Sequence, residues 1–201
     1  MNYNYYFLRL TAIFFAAIFT NNILLTNYLG MCSFLGVSRE IKTSLGLGFA
    51  VLFVMSVTCC LNWLAYHYIL LPLNITYLRF IVFIVIIAAF VQLTEMLIER
   101  FSEALYASLG IFLPLITVNC AILGASLFAI IREFSFWESF VFGIGSGLGW
   151  LMAILAMAGI RQQKIKNAPI PHGLEGAGIA LIIAGIMSLA FMGFNGMIDI
   201  N

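Results

Sequence analysis

The stretch from Phe140 to Ile160, FVFGIGSGLGWLMAILAMAGI, contains no charged side chain. A helix needs about 20 consecutive apolar residues to cross the hydrocarbon core of a bilayer, so this stretch is long enough to span a membrane. The whole chain has the same character: 64% of its 201 residues are apolar and 8% are charged, whereas soluble domains carry about 25% charge. A net charge of +1 gives no sign of a nucleic-acid-binding or polybasic protein. The sequence therefore predicts an integral membrane protein.

Five further apolar runs accompany this one. They are continuous and about 20 residues or longer, which favours helices, because transmembrane strands would be about 10 residues of alternating polarity. The short connections between the runs hold most of the charges and leave no room for an extramembrane domain. We therefore predict one all-α membrane domain over residues 1–201 with six transmembrane helices. The six runs are about Phe7–Phe34, Thr43–Leu71, Tyr77–Leu97, Leu105–Ile131, Glu138–Ile160 and Leu174–Met197.

The Lys and Arg residues predict the orientation, because cytoplasmic loops carry an excess of positive charge. Three of them lie on the side of the N terminus and six on the other side. We therefore expect loops one, three and five to be cytoplasmic and both termini to lie outside. The first set is Arg9, Arg79 and Arg132, and the second is Arg39, Lys42, Arg100, Arg161, Lys164 and Lys166.

The two halves of the chain, about 1–100 and 101–201, repeat three short motifs in the same order. Because each half has three spans, an odd number, the second copy would enter the membrane from the opposite side. The sequence therefore predicts two inverted three-helix repeats, whose working groups would lie at the repeat interface. The matched pairs are Cys32–Gly36 with Cys120–Gly124, Gly46–Phe49 with Gly147–Trp150, and Val85–Ala89 with Leu181–Gly185.

The first helix of each repeat, helices 1 and 4, is predicted to be broken. Polar amides in hydrocarbon cost several kcal/mol unless they are paired, and backbone groups freed at a break would pair them. Alternatively, the Asn and Thr side chains join neighbouring helices, and both roles can hold together. The residues concerned are Thr20, Asn21, Asn22, Thr26 and Asn27 in run one, and Pro114, Thr117 and Asn119 in run four.

Four cysteines occur, and two of them are related by the repeat. Cys59 and Cys60 are adjacent, so their side chains diverge on a helix, and we interpret them as packing residues. Cys32 and Cys120 hold equivalent positions, and their distances from the charged helix ends place them at similar depth. Three interpretations remain open for this pair: a disulfide, which burial in the membrane disfavours, half of a metal site, or coincidence. A site with four thiolates would need a partner that brings two more.

Several other features carry little functional information. The glycines between Gly143 and Gly149 lack the strand and the acidic residue of a dinucleotide site, so we interpret them as close helix packing. Neither His67 nor His172 has a convincing partner in the sequence. With no P-loop or flavin site, the chain is not expected to bind a flavin or a nicotinamide, or to be catalytic alone.

Two stretches resemble the signatures of a known family. GMCSFLGVS at Gly30–Ser38 and LGIFLPLITVNCAILG at Leu109–Gly124 resemble the family that comprises the E subunit of the sodium-translocating NADH:quinone oxidoreductase (Nqr) together with its homologue, the A subunit of the Rnf complex. The resemblance spans essentially the whole chain, including AGIR at Ala158–Arg161 and SLAFMGF at Ser188–Phe194.

The resemblance implies six helices in two inverted repeats and a multi-pass protein of the bacterial inner membrane. It also implies a homologous six-helix partner of opposite topology, which is the D subunit in Nqr or the E subunit in Rnf. The two partners would share an intramembrane [2Fe-2S] cluster, each supplying two cysteines. Carried over residue by residue, the ligands here are Cys32 and Cys120, whereas Cys59 and Cys60 match no ligand of the family.

The residues nearest the cysteines favour the Nqr branch slightly. Ser33, Val118 and GSGLGW at Gly145–Trp150 look like Nqr, whereas Asn21-Asn22 and the link Leu71–Arg79 look like Rnf. The predicted function is a membrane subunit of a redox-driven Na⁺ or H⁺ translocase of the NADH:quinone or ferredoxin:NAD type, through which electrons cross the membrane. The rivals are a secondary transporter with inverted repeats, which the repeats alone would equally permit, and a cofactor-free assembly subunit.

Overall fold

A computed structural model of the chain describes residues 3–38, 40–101, 113–163 and 176–194. All regular structure in these ranges is helical, as the long continuous apolar runs predict. A π-helical turn at Tyr66–Leu70 extends the third helix, and a 3₁₀ turn at Thr76–Leu78 precedes the fourth. The α-helices in these ranges are α1 Tyr3–Ile18, α2 Met31–Val37, α3 Ile41–Ala65, α4 Arg79–Phe101, α5 Leu113–Thr117, α6 Cys120–Ile131, α7 Phe136–Gln163 and α8 Ala177–Met192.

Four helical segments within the described ranges are long and apolar enough to cross a membrane, which confirms the predicted class of protein. They are Ile41–Leu70, Thr76–Leu97, Pro114–Ile131 and Phe136–Gln163. The apolar helices Tyr5–Ile18 and Ala177–Met192 are shorter, so the arrangement of six spans stays a prediction. Several features used for the predictions lie outside the described residues: Arg39, Lys164, Lys166 and His172, residues 105–112 of run four, and residues 174–175 and 195–197 of run six.

The glycine-rich part of α7 packs closely against two helices at once. A Cβ added to Gly145 would lie 2.9 Å from Cβ of Ala17 in α1, and one added to Gly147 would lie 2.9 Å from Cα of Leu52 in α3. Such small residues at helical spacing let the backbones of neighbouring helices approach each other. The predicted role of this stretch in helix packing is therefore confirmed, and α7 lies between α1 and α3.

The core of the chain surrounds two interruptions of the helical structure. One is the irregular segment 19–30 between α1 and α2, and the other is the pair Val118-Asn119 between α5 and α6. Trp150, Phe34 and Ile122 are among the largest fully buried side chains, and they come from α7, α2 and α6. The helices that carry Cys32 and Cys120 therefore begin close to some of the largest fully buried side chains of the molecule.

Candidate functional site

Cys120 is the first residue of α6, and its neighbour Asn119 explains why a helix begins there. Asn119 has an extended backbone, and its Oδ1 accepts a hydrogen bond from the main-chain N–H of Ala121 at 3.1 Å. An asparagine in this position caps a helix by satisfying one of its free N–H groups. Because Asn119 restarts the helix after the short α5, the thiol of Cys120 lies at an N-terminus, where the helix dipole favours negative charge.

Cys32 lies in the equivalent place, as the second residue of α2. The residue just before α2, Gly30, has a left-handed backbone with φ of 86°, a conformation that glycine adopts without steric cost. The carbonyl of Gly30 accepts from the main-chain N–H of Phe34 and from the hydroxyl of Ser33. This glycine therefore turns the chain out of segment 19–30 and into the helix that carries Cys32.

The two cysteine-bearing segments contact each other. The main-chain N–H of Gly30, two residues before Cys32, donates a hydrogen bond to Sγ of Cys120 at 2.9 Å. Cys120 is half-buried, whereas Cys32 is exposed on the surface of the single chain. Val118, two residues before Cys120, is 77% exposed. The thiol of Cys32 and the side chain of Val118 are therefore open to the surroundings, where a second protein can approach them.

Two buried donors beside this contact have no hydrogen-bond partner among the described residues. They are Nε1 of Trp150 and Nδ2 of Asn119. Both side chains face the same glycine, since a Cβ on Gly30 would lie 2.7 Å from Trp150 Nε1 and 3.0 Å from Asn119 Oδ1. Trp150 and Asn119 thus lie beside the glycine whose own N–H group contacts the Cys120 sulfur, and N–H donors are the groups with which proteins stabilise thiolates and iron–sulfur centres.

The side chain of Asn22 stabilises the irregular segment that follows α1. Its Oδ1 accepts from the main-chain N–H groups of Leu24 and Leu25, and its Nδ2 donates to the carbonyls of Ile18 and Gly149. Three of these bonds satisfy backbone groups at or just after the end of α1, and the bond to Gly149 joins the segment to α7. Asn22 therefore has both expected roles: it pairs backbone groups freed at a helix break, and it joins two neighbouring helices.

Side chains from distant helices form hydrogen bonds with carbonyl and hydroxyl groups in α2 and in the segment before it. Arg161 at the end of α7 donates to the carbonyl of Leu35 and to the hydroxyl of Ser38. On the other side, Tyr28 donates to Ser188 of α8, which in turn donates to the carbonyl of Leu25. These contacts join the helix that carries Cys32 to α7, and the segment before it to α8.

The other cysteines lie apart from this contact. Cys59 of α3 is buried in the hydrophobic core of the molecule, with its sulfur 3.9 Å from the hydroxyl of Ser126. The adjacent Cys60 is half-buried. In the parts of the chain that the structure covers, no group of three or more His, Cys, Asp or Glu side chains could hold a metal ion. Cys32 and Cys120 can therefore supply at most half of a four-thiolate set from these residues.

A second polar feature, which the sequence interpretation missed, lies at the opposite end of α6, where α7 begins. Nε of Arg9 lies 3.1 Å from a carboxylate oxygen of Glu138, whose side chain is almost fully buried. The other oxygen of Glu138 accepts from the main-chain N–H of Ser135. The sequence Ser135-Phe136-Trp137-Glu138 has the pattern of a capping box, a signal that could have placed the start of α7 directly after Ser135 and Glu138 in its first turn.

The Arg9–Glu138 pair borders a cavity of about 640 Å³ lined largely by aromatic side chains. His67 lies there with its ring stacked on that of Trp63 at 4.2 Å between centroids. Trp63 precedes His67 by one helical turn, so the two rings pack face to face on one side of the helix. Arg132 is the first residue after α6, and its partial burial lowers its pKa. Its guanidinium carbon lies about 6 Å from the ring centroids of Phe128 and Phe142.

Comparison with known proteins agrees with the resemblance seen in the sequence. The family model described as "Rnf-Nqr subunit, membrane protein" matches residues 10–198. The E subunit of the Na⁺-translocating NADH-quinone reductase from Aeromonas hydrophila subsp. hydrophila is 50% identical over 187 residues, which cover 90% of this chain and 94% of that protein. The proteins of the same name from Pseudoalteromonas translucida and Nitrosomonas europaea are 48% and 44% identical, over 92% and 94% of this chain and 96% and 98% of their own.

The similarity covers the parts of the chain that form the candidate site. The family match includes both interruptions and both cysteine-bearing segments described above, and each of the three relatives matches at least nine-tenths of this chain. The chain therefore belongs to the Rnf-Nqr family of membrane subunits.

Proposed function

We propose that this chain is the E subunit of a Na⁺-translocating NADH:quinone oxidoreductase of the Nqr type. In this role it supplies Cys32 and Cys120 as two of the four ligands of an intramembrane [2Fe-2S] cluster. A homologous partner, the D subunit of the complex, supplies the other two. When bound, the shared centre would supply the redox chemistry by which electrons from NADH oxidation on one membrane face could cross the bilayer.

One observation carries the proposal: the segments of the two repeat-related cysteines contact each other through the hydrogen bond from Gly30 N–H to Cys120 Sγ. Residues 90 positions apart in sequence are brought together at two helix starts. A cysteine that serves only packing needs neither a main-chain donor aimed at its sulfur nor a position at the molecular edge. A shared ligand needs both, because a partner must reach it and its thiolate must be stabilised.

The residues around Cys120 fit an iron–sulfur centre in their chemistry. Gly30 donates its N–H to the sulfur, and the side chains of Asn119 and Trp150 lie against Gly30, with Nδ2 and Nε1 having no acceptor among the described residues. The exposed thiol of Cys32 leaves room for ligands from a second chain. When bound, such a cluster accepts and releases one electron at a time, with a potential set by hydrogen bonds to its sulfurs and by solvent exposure.

The chain's own residues have three tasks in this function. Gly30 stabilises the negative charge on the Cys120 sulfur through its N–H group. Arg161 holds α2 to α7 and Asn22 holds the preceding segment to the same helix, so the position of Cys32 is fixed by a long helix rather than by the short helix alone. The apolar side chains of the surrounding core exclude water, which strengthens each of these electrostatic interactions.

The proposal includes a topology of six spans in two inverted repeats with both termini on the periplasmic side. The interruptions at segment 19–30 and at Val118-Asn119 support it, because each precedes a helix with a cysteine of the same C-x-x-L-G motif in its first two residues. Labelling of single cysteines introduced at each terminus with a membrane-impermeant maleimide in whole cells tests the orientation. Labelling of only one terminus would contradict an even total of six spans.

A ferredoxin:NAD translocase of the Rnf type is the alternative within the family. The three relatives compared above are all named as the E subunit of the Na⁺-translocating NADH-quinone reductase, so we favour Nqr. A secondary transporter would place a substrate at the same interruptions. It would not need Cys32 and Cys120, and this difference separates the two functions experimentally.

The test uses the whole complex purified from cells that express the chain with its natural partners. After reduction with dithionite, electron paramagnetic resonance should detect a [2Fe-2S] signal. The signal should disappear in Cys32→Ser and in Cys120→Ser. Iron and acid-labile sulfide should also fall in both variants, in equal amounts, because a [2Fe-2S] cluster contains as many iron as sulfide ions.

Cys59→Ser and Cys60→Ser are matched controls, since they change the same atom in the same chain away from the proposed site. Both should keep the full signal. A full signal in both Cys32→Ser and Cys120→Ser would overturn the proposal. Retained Na⁺ transport in these two variants without any redox signal would favour the transporter instead.

A further inference from the structure

We propose that Trp150 and Asn119 are positioning residues that donate hydrogen bonds to the sulfur atoms of the centre held at Cys120 and thereby raise its reduction potential. This inference rests on the function proposed above and assigns specific donors to it. Trp150 lies 30 residues after Cys120, in a different helix.

The first argument is the chemistry of the two unpaired groups. An indole N–H can only donate, and the NH₂ group of an asparagine can only donate as well. Both atoms are buried and have no partner in the described part of the chain. Leaving a buried donor without an acceptor destabilises a protein, so an acceptor supplied from outside the described residues would stabilise both groups.

The second argument is where the two donors lie. Gly30 has Trp150 Nε1, Asn119 Oδ1 and Cβ of Ala121 around the position of its missing Cβ, at 2.7, 3.0 and 3.0 Å. The same glycine donates its N–H to Cys120 Sγ. Asn119 is also the residue directly before Cys120. Both side chains therefore lie beside the residue whose N–H contacts the Cys120 sulfur, and the sulfur atoms of a metal centre held there would be negatively charged acceptors in their neighbourhood.

The third argument is that the donors are held in place. Oδ1 of Asn119 is engaged as the cap of α6, which fixes the plane of the amide and with it the position of Nδ2. Trp150 is fully buried in α7 next to Gly149, whose carbonyl accepts from Asn22. Rigid donors of this kind cost no reorganisation when the charge of the centre changes.

The expected effect follows from electrostatics. Reduction adds one negative charge to the centre, and N–H donors stabilise the more negative state, particularly where water is excluded. Removing a donor should therefore shift the reduction potential to a more negative value. A residue that only fills space would not change the potential in this direction.

The experiment is a redox titration of the purified complex, followed by electron paramagnetic resonance, in wild type and in Trp150→Phe. Pulsed measurements after exchange into D₂O also report which exchangeable protons couple to the reduced centre. We expect Trp150→Phe to have a more negative potential and to lose one exchangeable coupling. Trp137→Phe is the matched control in the same helix, where the side chain is exposed, and both readouts should remain unchanged.

Asn119→Ser is the second variant and covers the case in which Trp150→Phe does not assemble. Serine keeps an oxygen to cap α6 but lacks the amide donor, so the potential should again become more negative. An unchanged potential and unchanged couplings in the variants that assemble would overturn the inference and leave the proposed function intact. A wild-type complex without any cluster signal would overturn the proposed function itself.

Discussion

The main-chain N–H of Gly30 donates a hydrogen bond to Sγ of Cys120 at 2.9 Å. This contact joins two helix starts from different halves of the chain. It depends on a glycine, because only a residue without a side chain combines the left-handed backbone with such close neighbours.

Gly30→Ala should therefore destabilise the protein. A Cβ at this position would lie 2.7 Å from Nε1 of Trp150, and a left-handed backbone costs alanine about 1–2 kcal/mol. We expect a loss of about 2–4 kcal/mol in the free energy of unfolding, seen as a lower melting temperature in detergent. Gly36→Ala in α2, with open space around it, is the control, and an equal loss in both variants would contradict the argument.

Asn22→Ala should have a large effect on stability for a different reason. The side chain makes four hydrogen bonds and is fully buried, and buried groups left without partners cost about 1–3 kcal/mol each. Because some groups can pair anew, we expect a loss of about 2–5 kcal/mol in denaturant or thermal unfolding. The adjacent Asn21→Ala, at a half-buried position, should change stability by less than about 1 kcal/mol. Equal effects of the two changes would show that Asn22 is not the residue that holds the interruption.

Gly147→Ala should weaken the packing of α7 against α3. The new Cβ would lie 2.9 Å from Cα of Leu52, and a backbone atom cannot move aside without shifting the helix. Overpacking of this kind costs about 1–3 kcal/mol, measurable as a lower melting temperature. Gly159→Ala, in the same helix with nothing close to it, should be neutral or slightly stabilising. A neutral Gly147→Ala would mean that α3 and α7 do not pack as closely as this contact requires.

The Arg9–Glu138 pair should respond unequally to the loss of its two members. Arg9 is 48% exposed, whereas the Glu138 side chain is 4% exposed. Arg9→Met would leave a buried carboxylate without its cation, for a loss of about 1–3 kcal/mol. Glu138→Gln would leave a guanidinium that water can solvate and would keep an acceptor for Ser135, so its loss should be below about 1 kcal/mol.

Thermal unfolding of both single variants and of the double variant separates these contributions. The double variant should be closer to wild type than Arg9→Met, because it removes the unpaired charge together with its partner. If Glu138→Gln were the more damaging change, the buried carboxylate would have a role besides its pairing with Arg9.

The features that the sequence predicts well are those encoded over short distances. Apolar runs identify membrane helices by length alone, and the glycines of α7 indicate close packing by their spacing. Asn119 and Pro114 predict an interruption because their local chemistry opposes a continuous helix. The repeat and the family resemblance pair Cys32 with Cys120, and the structure adds that their segments contact each other.

The features that the sequence does not predict depend on contacts between distant residues. Arg9 and Glu138 are 129 residues apart in sequence, and Tyr28 and Ser188 are 160 apart. Neither pair follows from periodicity, because a helical pattern indicates which face is buried but not which side chain lies opposite. In sequence Trp150 is only part of a family motif, and its unpaired N–H group is apparent only when its neighbours are known.

Helix α7 contacts both ends of the irregular segment 19–30. Gly149 accepts from Asn22 near the start of the segment, and the next residue, Trp150, lies against Gly30 at its finish. Two consecutive residues of α7 thus determine the distance between the two ends of the 12-residue irregular segment. A displacement of α7 along its axis would therefore carry both ends of the segment with it.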